Sequence, residues 1–153
     1  MKNFLPTLAI ACILVLPANA QIDSAESLLG EWVDMWASYD LNQVEVLFRN
    51  DETITYFSSE FEGAITGFDA IYEHHKGFGF KKGGASPSAQ LWVDSVHTTA
   101  SGESTALAAL WYFGDPDDGI SDQYGPMTMV VSHENESWQI VHMHFGNYPH
   151  DDD

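Results

Sequence analysis

The stretch Ser137-Trp138-Gln139-Ile140-Val141-His142-Met143-His144-Phe145-Gly146 is the most informative part of this chain. Its β-branched and aromatic residues are typical of a β-strand. Side chains alternate between the two faces of a strand. Strict alternation predicts that one face carries Trp138, Ile140, His142 and His144. Two imidazoles on a rigid element, beside apolar neighbours, favour the wall of a small pocket.

The first 20 residues have the pattern of a secretory signal peptide. Lys2 supplies the positive charge, and residues 5–16 form an apolar segment of about a dozen residues, too short to span a bilayer. The small residues Ala18 and Ala20 follow it. We therefore expect cleavage before Gln21 and a secreted or periplasmic protein.

Cleavage there would leave 133 of the 153 residues (153 minus 20), the length of one domain. We expect this domain over residues 21–149, followed by an acidic tail over residues 150–153. The single cysteine, Cys12, falls in the predicted signal peptide, so the mature domain would have no disulfide. Its core must then supply the stability, and all five tryptophans lie after residue 20.

The charge of the expected mature chain is strongly negative. All 23 acidic residues lie after residue 20, against four basic ones, so the formal net charge there is −19 (4 minus 23). Such a surface repels phosphate backbones and anionic lipids. The composition therefore predicts neither a nucleic-acid partner nor a membrane partner, and it favours a solubility role for the charge.

The periodicity predicts helices early in the chain and strands late. We expect a helix capped by Asp23 or Ser24 that runs to Tyr39, and a second one from a cap at Asn42 to Phe48. Shorter elements follow: a strand at 53–58, an extended piece near Ile65, a helix at 68–76 and a loop at 77–88. Four strands are expected at 89–100, 104–113, 124–133 and 137–146, with a longer acidic loop at 114–122. This order predicts an α+β domain with helices packed on one face of an antiparallel sheet.

Several local sequences in this order match a known pattern. They are Trp36-Ala37-Ser38-Tyr39-Asp40-Leu41, Thr55-Tyr56-Phe57, Gly67-Phe68-Asp69-Ala70-Ile71, Met127-Thr128-Met129-Val130-Val131 and the closing strand. Together they resemble the SnoaL-like branch of the nuclear transport factor 2-like superfamily. The closing strand is also similar to the association domain of calcium/calmodulin-dependent kinase II. The resemblance covers residues 25–149.

The resemblance implies a cystatin-like cone, in which a curved sheet wraps around the long first helix and a pocket opens at one end. It also implies a homodimer formed through the outer sheet face. The family includes isomerases, cyclases, hydrolases, iota-class carbonic anhydrases and non-catalytic assembly domains, so the fold leaves the function open. Many members have Ser where this chain has Gly146, which counts against the carbonic anhydrase alternative.

A ketosteroid isomerase mechanism can be rejected from two positions. Those enzymes need a tyrosine on the first helix and an aspartate base on the first long strand. The alignment places Val33 and Tyr56 there. Both the acid and the base of that mechanism are therefore missing.

The candidate catalytic residues are His142, His144 and Tyr56, because imidazole transfers protons near neutral pH. The candidate ligand-binding residues suit a flat apolar or phenolic molecule: Trp36, Tyr56, Tyr112, Thr128 and Trp138. His74 or His75 could add a third nitrogen to His142 and His144 in a metal site, but a solvated helix face is the favoured interpretation of both. We therefore expect no metal and no cofactor.

The sequence thus predicts an exported domain that binds a small molecule, with proton-transfer chemistry by histidine as a secondary expectation. Two alternatives stay open. One is hydration chemistry of the iota carbonic anhydrase kind, and the other is dimeric assembly without catalysis. Whether the protein is an enzyme is left undecided at this level.

Overall fold

The computed structural model describes residues 22–87, 89–115 and 120–149. The predicted signal peptide and the acidic tail lie outside the described residues, as do residues 116–119 of the predicted acidic loop. The elements are α1 (Ala25–Ser38), α2 (Leu41–Leu47), β1 (Thr55–Phe57), β2 (Ile65–Thr66), α3 (Phe68–Gly77), β3 (Gln90–Ser101), β4 (Ser104–Asp115), β5 (Ile120–Glu134) and β6 (Ser137–Phe145). No helix of the described part is long and apolar enough to cross a membrane.

Helix α1 begins where the sequence predicts. The Ser24 hydroxyl accepts a hydrogen bond from the Ser27 backbone N–H, and the Ser27 hydroxyl accepts one from the Ser24 backbone N–H. The helix ends at Tyr39, whose φ of 50° is left-handed and cannot continue a helix. Helix α2 begins two residues earlier than expected because Asp40 and not Asn42 is its cap, accepting from the Asn42 N–H at 3.0 Å.

The six strands form one curved, unclosed sheet in the order β2-β1-β6-β5-β4-β3. All neighbours are antiparallel except β1 and β6, which run parallel. One face of the sheet packs on α1, with Trp32 stacked on Phe145 at 5.7 Å between ring centroids. The α+β class and the cone predicted from the sequence are therefore confirmed. We call this covered face the inner face and the opposite one the outer face.

The predicted alternation along β6 is wrong at one position. Val130 of β5 pairs with His142, but the next residue, Val131, pairs with Ile140. Val141 is therefore an extra residue, a β-bulge that reverses which face each later side chain occupies. Ile140 is fully buried on the inner face, whereas His142 and His144 pair with Thr55 and Phe57 of β1 on the outer face.

Candidate ligand-binding cleft

A cleft opens at one end of the inner face, between α1, α3 and the sheet. Its lining residues come from seven of the nine elements and the loop after β1: Trp36, Tyr56, Ser58, Ser59, Glu60, His74, Phe78, Leu91, Trp111, Phe113, Gln123 and Phe145. The empty space between these residues, counted to the open mouth, is about 360 Å³. The part wide enough for the centre of a water molecule is about 30 Å³, so the interior is narrow.

Aromatic rings build most of the cleft. Trp36 of α1 meets Phe78 at 5.5 Å and Phe113 at 6.1 Å between ring centroids, both edge to face. On the other side, Phe145 meets Tyr56 at 5.6 Å and Trp111 at 5.4 Å. Such edge-to-face contacts are favourable and hold the rings in place. The walls of the cleft are therefore apolar and largely preformed.

A short polar network lies at the mouth. The Gln123 side-chain amide donates to a Glu60 carboxylate oxygen at 2.7 Å, and the Ser59 hydroxyl donates to the Gln123 carbonyl oxygen at 3.3 Å. Glu60 is exposed. The network thus joins the loop after β1 to strand β5 across the opening.

His74 is part of this cleft, although the sequence pattern favoured a solvated helix face for it. Its ring lies 5.4 Å from Tyr56 and 5.5 Å from Phe78, centroid to centroid. Its Nε2 atom is buried and has no hydrogen-bond partner in the described protein. Burial lowers the pKa of His74, while the charge of Glu60 partly opposes that shift. The imidazole is therefore neutral near neutral pH.

His75 lies directly behind the cleft and is completely buried, so the solvated interpretation is wrong for it as well. Its ring is surrounded by those of Trp36, Phe48, Tyr56 and Phe80. Its Nδ1–H donates to the Ile71 carbonyl at 2.8 Å, which sets the tautomer. Burial lowers the pKa of His75 to about 4.

Tyr56 lies in the cleft as the sequence predicted. It is only 2% exposed, and burial together with the nearby charge of Glu60 raises the pKa of its hydroxyl far above the usual value. The hydroxyl therefore stays protonated at physiological pH and can donate a hydrogen bond. Trp36, the other candidate that lines the cleft, is 5% exposed, and its indole N–H has no partner in the described protein.

The predicted histidine pair lies elsewhere. His142 Nδ1 is 2.7 Å from the Thr55 hydroxyl, and Phe57 packs against both His142 (6.1 Å) and His144 (5.6 Å). Burial lowers the pKa of His142, and His144 lowers it further. These contacts place both imidazoles on the outer face, so the expectation that they project into the cone is wrong. Their predicted catalytic role stays a prediction.

The remaining candidates also lie away from the cleft. Tyr112 is on the outer face, where it stacks on Trp92 at 5.5 Å and on Tyr124 at 6.0 Å with nearly parallel rings. Thr128 pairs with His144 on the same face. Trp138 packs on His133 at 4.6 Å, near the β5–β6 turn. The structure therefore brings together only Trp36 and Tyr56 of the five predicted ligand contacts.

The residues that the sequence analysis missed belong to α3 and the loop after β1. Phe78 follows His74 by four residues, a spacing that puts two residues on one side of a helix and could have indicated a shared environment. Only the tertiary structure places His74 beside Tyr56. Among the described residues, no three histidines, cysteines or carboxylates lie close enough together to hold a metal ion.

Comparison with solved structures identifies the fold of this chain. No family model and no curated protein matches the sequence, but solved structures do. A nuclear transport factor 2-like superfamily protein from Salmonella enterica aligns over 82% of this chain and 89% of its own, with a TM-score of 0.64 and 18% identity. The chain has the nuclear transport factor 2-like fold.

Two further structures of this fold agree. A Thiobacillus denitrificans protein described as a calcium/calmodulin-dependent protein kinase type II association domain covers 82% of this chain and 96% of its own, with a TM-score of 0.69 and 13% identity. A cystatin-like protein of unknown function from Nostoc punctiforme covers 81% and 88%, with a TM-score of 0.65 and 10% identity. At such identities a nuclear transport factor 2-like fold is established and the activity is not.

Proposed function

We propose that this protein binds a small, largely apolar or aromatic molecule in the cleft. The observation that carries the proposal is the ring-lined opening at the end of the cone, which includes Trp36 and Tyr56 and has no lysine or arginine among the described residues of its lining. Pockets that hold small molecules are concave and mostly apolar, with few polar groups. The polar groups here are concentrated at the mouth and at His74.

The size of the cleft limits the ligand. A space of about 30 Å³ for water centres holds roughly two waters. A ligand as large as one aromatic ring must therefore occupy the mouth as well, and it must displace the Gln123–Glu60 hydrogen bond. Glu60 is exposed, so its side chain can rotate and make room for the ligand. We infer a ligand of one ring or a comparable branched group.

The test is a thermal-shift and calorimetric panel of phenol, benzyl alcohol and indole. Phe113→Trp should reduce binding at least several-fold, because the larger ring fills space in the cleft. Tyr112→Trp is the matched control, since the neighbouring residue of β4 faces the other way and should leave binding unchanged. Equal binding by both variants, or no binding of any probe by the wild type, would contradict the proposal.

If the bound molecule is a substrate, proton transfer is the reaction that we propose for this cleft. The protonated Tyr56 hydroxyl and the neutral His74 imidazole are an acid and a base whose rings are 5.4 Å apart. His142 and His144 lie on the outer face and are not among the residues that line this cleft. Carbonic anhydrase-type hydration by the predicted histidines stays a prediction from the resemblance.

Dimeric assembly is a second candidate function, favoured by the outer face. Several apolar residues there are half-buried, Ala108 is exposed, and Phe57 beside the two histidines is 37% exposed. One of the structural neighbours is described as an association domain. We propose that two copies pair through this face, and that the protein acts outside the cytoplasm after cleavage near Ala20.

A further inference from the structure

The residues that line the cleft indicate which charge its ligand carries. Among the described residues, six of the twelve that line it are aromatic, and the carboxylate of Glu60 is the single charged side chain. His74, the other titratable group apart from Tyr56, is neutral because burial lowers its pKa. The faces of aromatic rings carry partial negative charge, and so does a carboxylate. The ring faces and the Glu60 carboxylate therefore favour a positive charge, whereas the polar donors of the lining, such as the Tyr56 hydroxyl and the Gln123 amide, are neutral.

The basic residues of the described chain are far from evenly spread, and none is in the cleft. Lys76, Lys81 and Lys82 line a separate surface groove with Tyr72 and Phe80. Arg49 is paired with Asp51 and Glu134. With a formal charge of −19 after residue 20, the overall electrostatic field of the protein attracts cations and repels anions. Both the overall electrostatic field of the protein and the lining of the cleft thus favour a cationic ligand.

Resting on the function proposed above, we infer that the ligand is a small methylated ammonium cation, held among the rings of Trp36, Tyr56 and Trp111 with Glu60 at the mouth. Such a cation has an apolar skin of methyl groups and no N–H to satisfy, so it can leave water for an aromatic cleft. A primary ammonium has three N–H groups, and the aromatic rings of the walls offer them no hydrogen-bond acceptor. The expected ligand is thus a cation with an apolar surface.

Glu60 is placed to complete this recognition. Its carboxylate lies at the mouth, where it accepts a hydrogen bond from Gln123 at 2.7 Å, and a cation that displaces the Gln123 amide would take the place of that amide beside the carboxylate. Its charge reaches the interior, because it raises the pKa of Tyr56 and opposes the lowering of that of His74. A cation held beside Tyr56 and His74 would therefore also be attracted by the Glu60 carboxylate.

The experiment compares two molecules of nearly the same shape, choline and its neutral carbon analogue 3,3-dimethylbutan-1-ol, by isothermal titration calorimetry of the wild-type protein. We expect choline to bind roughly tenfold more tightly, which is the scale of a desolvated cation–π contact. Its advantage should shrink in high salt, because salt screens the attraction of Glu60 and of the acidic surface.

Two variants separate the cleft from the general charge. Glu60→Gln removes the carboxylate and keeps a side chain that can bond to Gln123, and it should weaken choline several-fold while leaving the alcohol unchanged. Glu62→Gln makes the same charge change on the same loop outside the cleft lining and should affect neither molecule.

The outcomes distinguish binding of a methylated ammonium cation from the proposed binding of an apolar molecule. Equal or tighter binding of the alcohol overturns the cation and leaves an apolar-ligand protein. An equal loss in Glu60→Gln and Glu62→Gln also overturns it, because the effect would then come from the net charge alone. If neither molecule binds, the inference fails, and the aromatic probe panel decides independently whether the cleft binds small molecules.

Discussion

His75 shows at the residue scale what burial does to a titratable group. The ring is fully enclosed by aromatic side chains, and its one hydrogen bond, to the Ile71 carbonyl, uses the Nδ1–H of the neutral form. The Nε2 atom has no partner in the described protein. Protonation would place an unpaired charge in this environment, so the folded state resists it and the pKa falls to about 4.

The low pKa of His75 predicts how stability changes with pH. Between its ordinary pKa of about 6.5 and the folded value of about 4, the unfolded chain binds a proton there and the folded chain does not. Lowering the pH through this window should therefore reduce the free energy of unfolding, by up to about 3 kcal/mol from this group. Urea titrations at pH 7, 6, 5 and 4 measure it.

His75→Leu is the variant for this prediction, because it removes the titration and keeps an apolar side chain in the core. Its stability should vary less between pH 7 and pH 4 than that of the wild type. The lowered pKa values of His74 and His142 leave a residual slope of the same sign. A slope identical to that of the wild type would show that His75 is not the group responsible.

At the scale of elements, the pairing of β5 and β6 determines where the cleft ends. A Cβ at Gly125 would overlap the carbonyl oxygen of Gly146. That same oxygen accepts a hydrogen bond from the Trp111 indole N–H at 2.9 Å, and the Gly146 N–H donates to the Pro126 carbonyl at 2.9 Å. The close approach of two backbones thus holds Trp111 in the wall of the cleft.

Gly125→Ala should destabilise the protein by roughly 2 kcal/mol or more, because the added methyl group forces the two strands apart. Gly30→Ala is the contrasting change, at an exposed position of α1 where a Cβ meets nothing within 4 Å. The higher helix propensity of alanine should raise the free energy of unfolding by about 1 kcal/mol. Thermal unfolding followed by circular dichroism checks both. A Gly125→Ala protein as stable as the wild type would contradict the close approach.

At the scale of the whole molecule, the two faces of the sheet have different partners. The inner face is covered by α1 and ends in the cleft. The outer face has no covering element in the described chain and carries a row of stacked rings, Trp92, Tyr112 and Tyr124, beside small residues and the two histidines. Apolar surface of this extent is typical of an interaction site.

Ala108→Arg should disrupt the proposed dimer, because a charged side chain at the centre of the outer face would have to be buried between two copies. Ala37→Arg places the same side chain on an exposed position of α1 and should leave the assembly unchanged. Sedimentation velocity over a range of concentrations separates monomer from dimer. A wild-type protein that stays monomeric at high concentration would contradict the proposal.

The sequence alone determined the order of helices and strands and the fold class. These features depend on local periodicity, capping residues such as Ser24 and turn residues, all of which are written in short stretches of the chain. The ends of β5 were less predictable, because its strand pairing with β4 extends into residues expected to form a loop.

Tertiary structure alone decided the rest of the candidate site. The single extra residue Val141 turns His142 and His144 to the outer face, since a bulge depends on how two distant strands register and not on the residues themselves. His74 and Glu60 enter the cleft because α3 and the loop after β1 are brought against the end of the sheet. Local pattern identifies elements, whereas the chemistry of this cleft comes from contacts between residues far apart in the chain.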